Sequence, residues 1–456
     1  MRDKSYLTRD GSLFKRIILF SLPIMLSSML QLIYNSADLV IVGRFAGDAA
    51  LASVGSTTSL IHLIINIFLG LSIGVNISAA FSIGAGDERS ASEVSHTALC
   101  LGFIMGVLLA VVGYFASPLL LEMMGTPHEE GVFDGAVLYM RIYFIGMPAS
   151  LVYNYCAAVL KALGDTTRPF FYLLFSGIVN IILNLIFVIV FDMSVAGVAI
   201  ATVISQVISA VLVVIQLFRE DSCCRLYWSR LRITGSKLKR ILLLGIPAGI
   251  QSTMFSMSNV FFQSAVNTFD VATISGNSAA STVEGITWNA VYSFQDAGVT
   301  FTSAHLGAKK YEKLKSIFFV TCTLAMSMGL LFGIPMLLAR EFMVSLFTPD
   351  SYRAIAAGAS RLAVTMPSYF LGGLMTAASG CTRGLGKSIP PTVIAILGVC
   401  GVRILWLFTV FGHFGTLTSL YLSYPVSWSI AFIGYTVTFF LSLSVIKKRK
   451  REISLS

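Results

Sequence analysis

Uncharged apolar runs recur along the chain, separated by short stretches that hold most of its Lys and Arg. Residues 17–37, 94–121, 193–218, 241–269 and 316–339 contain no charged side chain. About 20 apolar residues cross a hydrocarbon layer of about 30 Å. A helix packed on a soluble core keeps a charged outer face, and these runs have none. The pattern predicts helices over 14–42, 50–80, 94–117, 133–160, 170–190, 197–218, 241–266, 274–302, 316–338, 354–379, 391–411 and 418–446. The expected fold class is therefore an all-α polytopic membrane protein with twelve transmembrane helices.

Composition agrees. The 456 residues are 56% hydrophobic and 12% charged, against about 25% charged in soluble domains. The first run follows Lys15 and Arg16 and extends to Val42, too long for the apolar part of a secretory signal. The net charge of +10 does not suggest nucleic acid, because it sits in short loops between spans. Of 32 Lys and Arg, 26 fall at the two termini and in alternate loops. Arg44, Arg141, Arg340, Arg353, Arg361 and Arg403 make up the remainder. By the positive-inside rule both termini are cytoplasmic, in a cell membrane. The run Lys447 to Arg451 anchors the last helix.

The chain repeats itself. ILFSLPI (18–24) matches LLLGIPA (242–248), aligning Pro23 with Pro247 at an offset of 224. Gly84-Ala85 falls on Gly307-Ala308, Leu163-Gly164 on Leu385-Gly386, and Met147-Pro148 on Met366-Pro367. Two pseudo-symmetric six-helix lobes are expected, at 1–218 and 241–446, joined by a basic linker at 219–240 and followed by a basic tail at 447–456. Parallel repeats of this kind suit alternating access by rocking.

Ionisable groups inside a membrane are costly, and so are functional candidates. Asp38, Glu284 and Asp296 are the acids placed within helices. Ser27, Gln31, Asn35 and Asp38 share one helical face at spacings of four, four and three. Asn180 and Asn184, with Thr202 and Gln206 on the next helix, are candidates to complete a polar shell around Asp38. Asn277, Ser281, Glu284, Trp288 and Gln295 form a second seam. An acid four residues from an indole suits a cationic aromatic ligand. Arg403 requires a carboxylate partner, and Glu284 is the expected one. GLGKS (384–388) lacks the first glycine of a Walker A loop, because Cys381 stands there. No nucleotide use is expected. The histidines are dispersed, and the cysteines show no C-x-x-C spacing. Cys223-Cys224 is read as incidental.

Six segments resemble the multidrug and toxic compound extrusion (MATE) transporters. They are SADLVIVGRFAGDAALASVG (36–55), GAGDERSASEV (84–94), LKALGDTTRP (160–169), VAGVAIATVISQ (195–206), LGAKKYEK (306–313) and TRGLGKSIPP (382–391). The resemblance implies a pair of lobes and export of drugs against inward H⁺ or Na⁺. It places the coupling acid at Asp38, with Asn180, Thr202 and Tyr139 beside it. Asn184 stands where several members carry a second acid. That leaves fewer charges to hold a metal cation and favours H⁺, with Na⁺ at Asp38 as the alternative.

The expectation is a transporter and not an enzyme: a monomeric secondary antiporter exporting lipophilic, cationic small molecules, with no cofactor beyond its coupling ion. Asp38, Asn180, Thr202, Asn184 and Tyr139 would couple the ion. Glu284, Trp288, Asn277, Gln31, Asn35 and Arg403 would bind substrate. A flippase for lipid-linked sugars is the nearest alternative and would need a strongly basic intramembrane site. A non-transporting receptor or scaffold is the second.

Overall fold

The computed structural model describes residues 6–9, 11–128, 131–349 and 351–455. Twelve long helical spans carry the fold. They are α1 (Leu13–Phe45), α2 (Asp48–Gly84), α3 (Glu88–Met123), α4 (Val132–Ile145 with Met147–Ala162), α5 (Thr167–Val190), α6 (Ser194–Arg219), α7 (Gly235–Val266), α8 (Val271–Gly307), α9 (Lys313–Leu338), α10 (Tyr352–Gly384), α11 (Ile389–Phe414) and α12 (Leu417–Tyr421 with Ser423–Leu455). Among the described residues, nine are long and apolar enough to cross a membrane, and α4, bent by 46° at Gly146, makes a tenth. Pro148 follows that bend at the start of the second segment, where its missing N–H costs least.

The other two, α8 and α10, fall short because polar residues interrupt them. Glu284 and Arg361 lie well inside these helices, and both are buried. Elsewhere the apolar surface faces outward. Phe115, Phe408, Leu331 and Phe103 are all more than half exposed. Soluble monomers rarely expose apolar surface on this scale, and lipid is the solvent that accepts it.

The chain divides into two compact units, one of Leu26–Gly249 and one of Leu7–Met25 with Ile250–Ser456. The breaks fall inside α1, after Met25, and inside α7, after Gly249. These positions are equivalent under the 224-residue repeat. In the first unit, Gly70 and Gly74 of α2 meet Gly245 and Gly249 of α7. A Cβ added to Gly70 would lie 2.2 Å from the Gly249 nitrogen, and one on Gly74 would lie 2.3 Å from the Ile241 oxygen. Small residues four apart let membrane helices touch backbone to backbone. That contact ties the start of α7 to the first unit.

The halves also match in a local irregularity. The last turn of α5, Ile186–Val190, is π-helical, and so is Leu407–Phe411 of α11. The offset of 221 is within one residue of that between Leu163 and Leu385 in the sequence repeat. A further π turn, Ile396–Gly401, precedes Arg403. Single π turns often mark functional positions in helices.

The linker is ordered on the end of α3. The Tyr227 N–H donates to His96 Nε2 at 3.0 Å, that of Thr234 to Thr97 Oγ1 at 3.1 Å, and Lys237 Nζ to Ser90 Oγ at 2.6 Å. Of the predicted tail anchor, the side chains beyond Lys448 lie outside the described residues.

Candidate functional site

Asp38 sits in the first unit with 8% of its surface exposed. One helical turn before it, the Tyr34 ring lies against Gly177 of α5. A Cβ at Gly177 would come within 1.9 Å of the Tyr34 ring. The Tyr34 hydroxyl donates to the Leu174 carbonyl at 3.2 Å. This close approach places the next turns together, Asp38 against Asn180 and Asn184. Asn184 Nδ2 donates to Asp38 Oδ1 at 2.5 Å and to Asn180 Oδ1 at 3.3 Å. Asn180 Nδ2 reaches Thr202 Oγ1 at 3.5 Å. The Thr202 hydroxyl has one proton and two acceptors, the Val198 carbonyl at 2.9 Å and Asp38 Oδ2 at 3.5 Å. The shorter bond is the better one. Asn184 therefore supplies the main hydrogen bond to the carboxylate. Asp38 has no cationic partner among the described residues.

Tyr139 is buried in the same unit and stacks on Tyr143 at 6.0 Å. Asp38 lies within electrostatic reach of both rings. Gln31 and Asn35 are on the exposed side of α1 and are not drawn into this cluster. The polar seam of α1 thus runs from an open face to a buried acid.

A second polar cluster occupies the other unit. Glu284 of α8 is gripped by Arg361 of α10: Nε donates to one oxygen at 2.9 Å and Nη2 to the other at 2.6 Å. Thr365 donates to the same carboxylate at 2.6 Å. Arg361 Nη1 donates to Asn277 Oδ1 at 2.7 Å, and Asn277 Nδ2 donates to Gln263 at 3.2 Å. Phe262, Tyr421 and Tyr424 surround the guanidinium. The pair, about 5% and 7% exposed, is buried and fully bonded.

The expected Arg403–Glu284 pair does not form. Arg361, counted by sequence among the charges at the outer ends of helices, takes its place. Backbone contact between α8 and α10 is the reason. A Cβ on Gly276 would lie 2.0 Å from the Ala354 oxygen, and one on Gly358 would lie 2.6 Å from the Gly276 oxygen. Arg361, one turn beyond Gly358, is thereby brought beside α8. Arg403 instead donates from Nε to Ser427 Oγ at 3.2 Å and lies 4.2 Å from the Tyr424 ring centroid. Trp288 is half-buried and stacks on Trp428 at 6.2 Å. Arg383, which the sequence puts in the segment between the spans predicted at 354–379 and 391–411, lies in the last turn of α10, fully buried, and donates to Gln251 at 2.5 Å.

A cavity of about 1450 Å³ opens elsewhere, beneath the linker, among Glu88, Arg89, Glu93, Arg168, Glu220 and Arg230. Several of these charges pair with one another: Arg168 with Glu220 at 2.9 Å and Arg89 with Glu93 at 3.1 Å. None of the predicted site residues lines it.

The family model MatE matches this chain twice, over residues 23–186 and 247–409. The two matches start 224 residues apart, the repeat offset read from Pro23 and Pro247. The probable multidrug resistance protein YoeA of Bacillus subtilis is 28% identical over 437 residues, which cover 92% of each chain. The multidrug export protein MepA of Staphylococcus saprophyticus is 26% identical, covering 92% of this chain and 93% of its own. A solved outward-facing multidrug resistance MATE family transporter superposes with a TM-score of 0.89 at 24% identity, over 98% of this chain and 99% of that one. Helices, repeat and relatives agree: this chain belongs to the MATE family of membrane transporters, and it is not an enzyme.

Proposed function

We propose that this protein is a secondary active antiporter that exports lipophilic organic compounds and couples the export to inward H⁺ at Asp38. The observation that carries this reading is a buried carboxylate with amide and hydroxyl donors around it and no cationic partner among the described residues. An ionised Asp38 is held by Asn184. A protonated Asp38 has a second arrangement open to it, because Asn184 Oδ1 is buried and has no hydrogen-bond partner. Turning that amide over would present its oxygen to the carboxyl proton. Asn184 can thus satisfy both charge states, which a proton-coupled step requires.

Sodium is a poorer fit. It needs several oxygens and charge enough to hold it, and Asp38 is the one carboxylate of this cluster among the described residues, with the neutral Asn184 beside it. Cationic compounds are the expected substrates on the same ground. Asp38 is free to trade a proton for a drug cation, while Glu284 is neutralised by Arg361. Both termini are proposed to be cytoplasmic, from the placement of the Lys and Arg.

Ethidium efflux from vesicles, driven separately by H⁺ and Na⁺ gradients, tests the coupling ion. Flux under the pH gradient alone is expected, and Asn180→Ala and Thr202→Val should leave it without any Na⁺ requirement. Flux that needs Na⁺, and a severalfold higher Na⁺ requirement in either variant, would replace the proton with sodium.

A further inference from the structure

The second unit holds a buried charge that the transport scheme above does not use. Arg403 lies in α11 between two π turns, Ile396–Gly401 and Leu407–Phe411, and is 6% exposed. Its Nε donates to Ser427. The Ser427 hydroxyl itself donates to the Tyr424 carbonyl at 2.9 Å, so a lone pair is left for Arg403. Neither Nη nitrogen has a hydrogen-bond partner among the described residues, and neither is sealed from the surface. The acid that the sequence assigned to it offers no relief. Both oxygens of Glu284 are taken by Arg361, and one also by Thr365.

A buried guanidinium without a counter-charge is costly, and in membrane proteins such groups mark ligand paths. The free edge of Arg403 is its Nη1–Nη2 side. That edge meets a carboxylate in a planar two-bond fork. Its guanidinium lies over the Tyr424 ring, and Tyr424 belongs to an aromatic group with Trp428 at 5.6 Å, Tyr369 at 5.3 Å from Trp428, and the half-buried Trp288.

We propose that Arg403 is an anion-binding subsite, and that it receives the carboxylate of an amphiphilic aromatic substrate whose ring packs against the Trp288 side of this group. The two units would then differ in sign. The first presents an unpaired acid and the second an unpaired base. The proposal rests on the export reading only for where the bound molecule goes, so it can be tested without any gradient.

The test uses three fluorescent probes with one ring system: pyrenebutyrate, pyrenebutanol and pyrenebutylamine. Each is titrated into the purified protein in neutral detergent at pH 7. Pyrenebutyrate should bind about tenfold more tightly than the alcohol, the worth of a charge-assisted hydrogen bond. Arg403→Gln should abolish that preference while leaving the alcohol's affinity unchanged. Arg403→Lys should keep part of it, which separates charge from folding. Equal affinities for the acid and the alcohol in the unmodified protein, or a carboxylate preference that survives Arg403→Gln, would overturn the assignment; binding of the amine reports on Asp38 instead. Phosphatidylglycerol added to the micelles should not displace pyrenebutyrate. Displacement would put a lipid headgroup at Arg403 and also overturn it. Ethidium flux under a pH gradient, measured on the same preparations, reports separately on the export reading.

Discussion

Removing one half of the Arg361–Glu284 pair leaves a charge in a poorly solvated interior. Arg361→Leu should therefore destabilise the protein by about 3–5 kcal/mol, and Arg361→Leu with Glu284→Gln by much less. Thermal melting in detergent checks this. A double variant as unstable as the single one would show that the pair is not the source of the loss. Asp38→Asn is expected to behave differently. It keeps the shape and a polar group near Asn184, so expression and melting should be close to those of the unmodified protein while gradient-driven efflux is lost. Asp38, Asn180, Asn184 and Thr202 were legible in the sequence because their spacing on three helices, together with the family resemblance, pointed to one place. The partner of Glu284 was not. Arg361 lies about two turns inside a span predicted to begin near 354, and sorting charges by side of the membrane hid it. Asking which helical face it occupied, three residues from Gly358, was the available signal.

Helix contacts decide where these side chains go. Gly177→Ala would force a methyl group into the Tyr34 ring. It should push α1 from α5, separate Asp38 from Asn184 and reduce efflux severalfold. Adding Tyr34→Val should recover much of the loss, since it removes the obstructing ring. A Gly177→Ala variant with unchanged flux would mean that the approach of α1 to α5 does not position Asp38. At the helix ends the logic is simpler. Asp87 caps α3 by accepting from the Ser90 N–H at 2.9 Å. The Ser90 bonds hold its carboxyl below the usual range. A depressed acid stabilises the fold above its unfolded pKa of about 3.9, and that contribution is lost as the pH falls through its folded value. Asp87→Ala should cost about 1 kcal/mol near pH 7, and Asp87→Asn a few tenths at most. The Ala deficit should shrink below about pH 4. A deficit that stays constant into acid would exclude the charged cap as its cause. Helix boundaries were readable from hydropathy to within several residues. The π turns were not, since nothing in IFVIV or LFTVF marks a turn that widens.

The whole molecule repeats a six-helix plan, and the repeat was legible from matches that keep their order along both halves, beginning with Pro23 and Pro247. The division into compact units was less so. It cuts α1 and α7 at equivalent points, Met25 and Gly249, because glycine contacts bind the start of α7 to α2. Sequence periodicity finds a helix but does not say that its halves pack on different neighbours. Proton exchange at Asp38 can be measured by reconstituting the protein in vesicles that trap a pH-sensitive dye and imposing an ethidium gradient with no other ion gradient. Antiport through Asp38 requires protons to move against the ethidium, in a fixed ratio to it, and requires that movement to vanish in Asp38→Asn. Ethidium flux without proton movement, or proton movement that persists in Asp38→Asn, would contradict it.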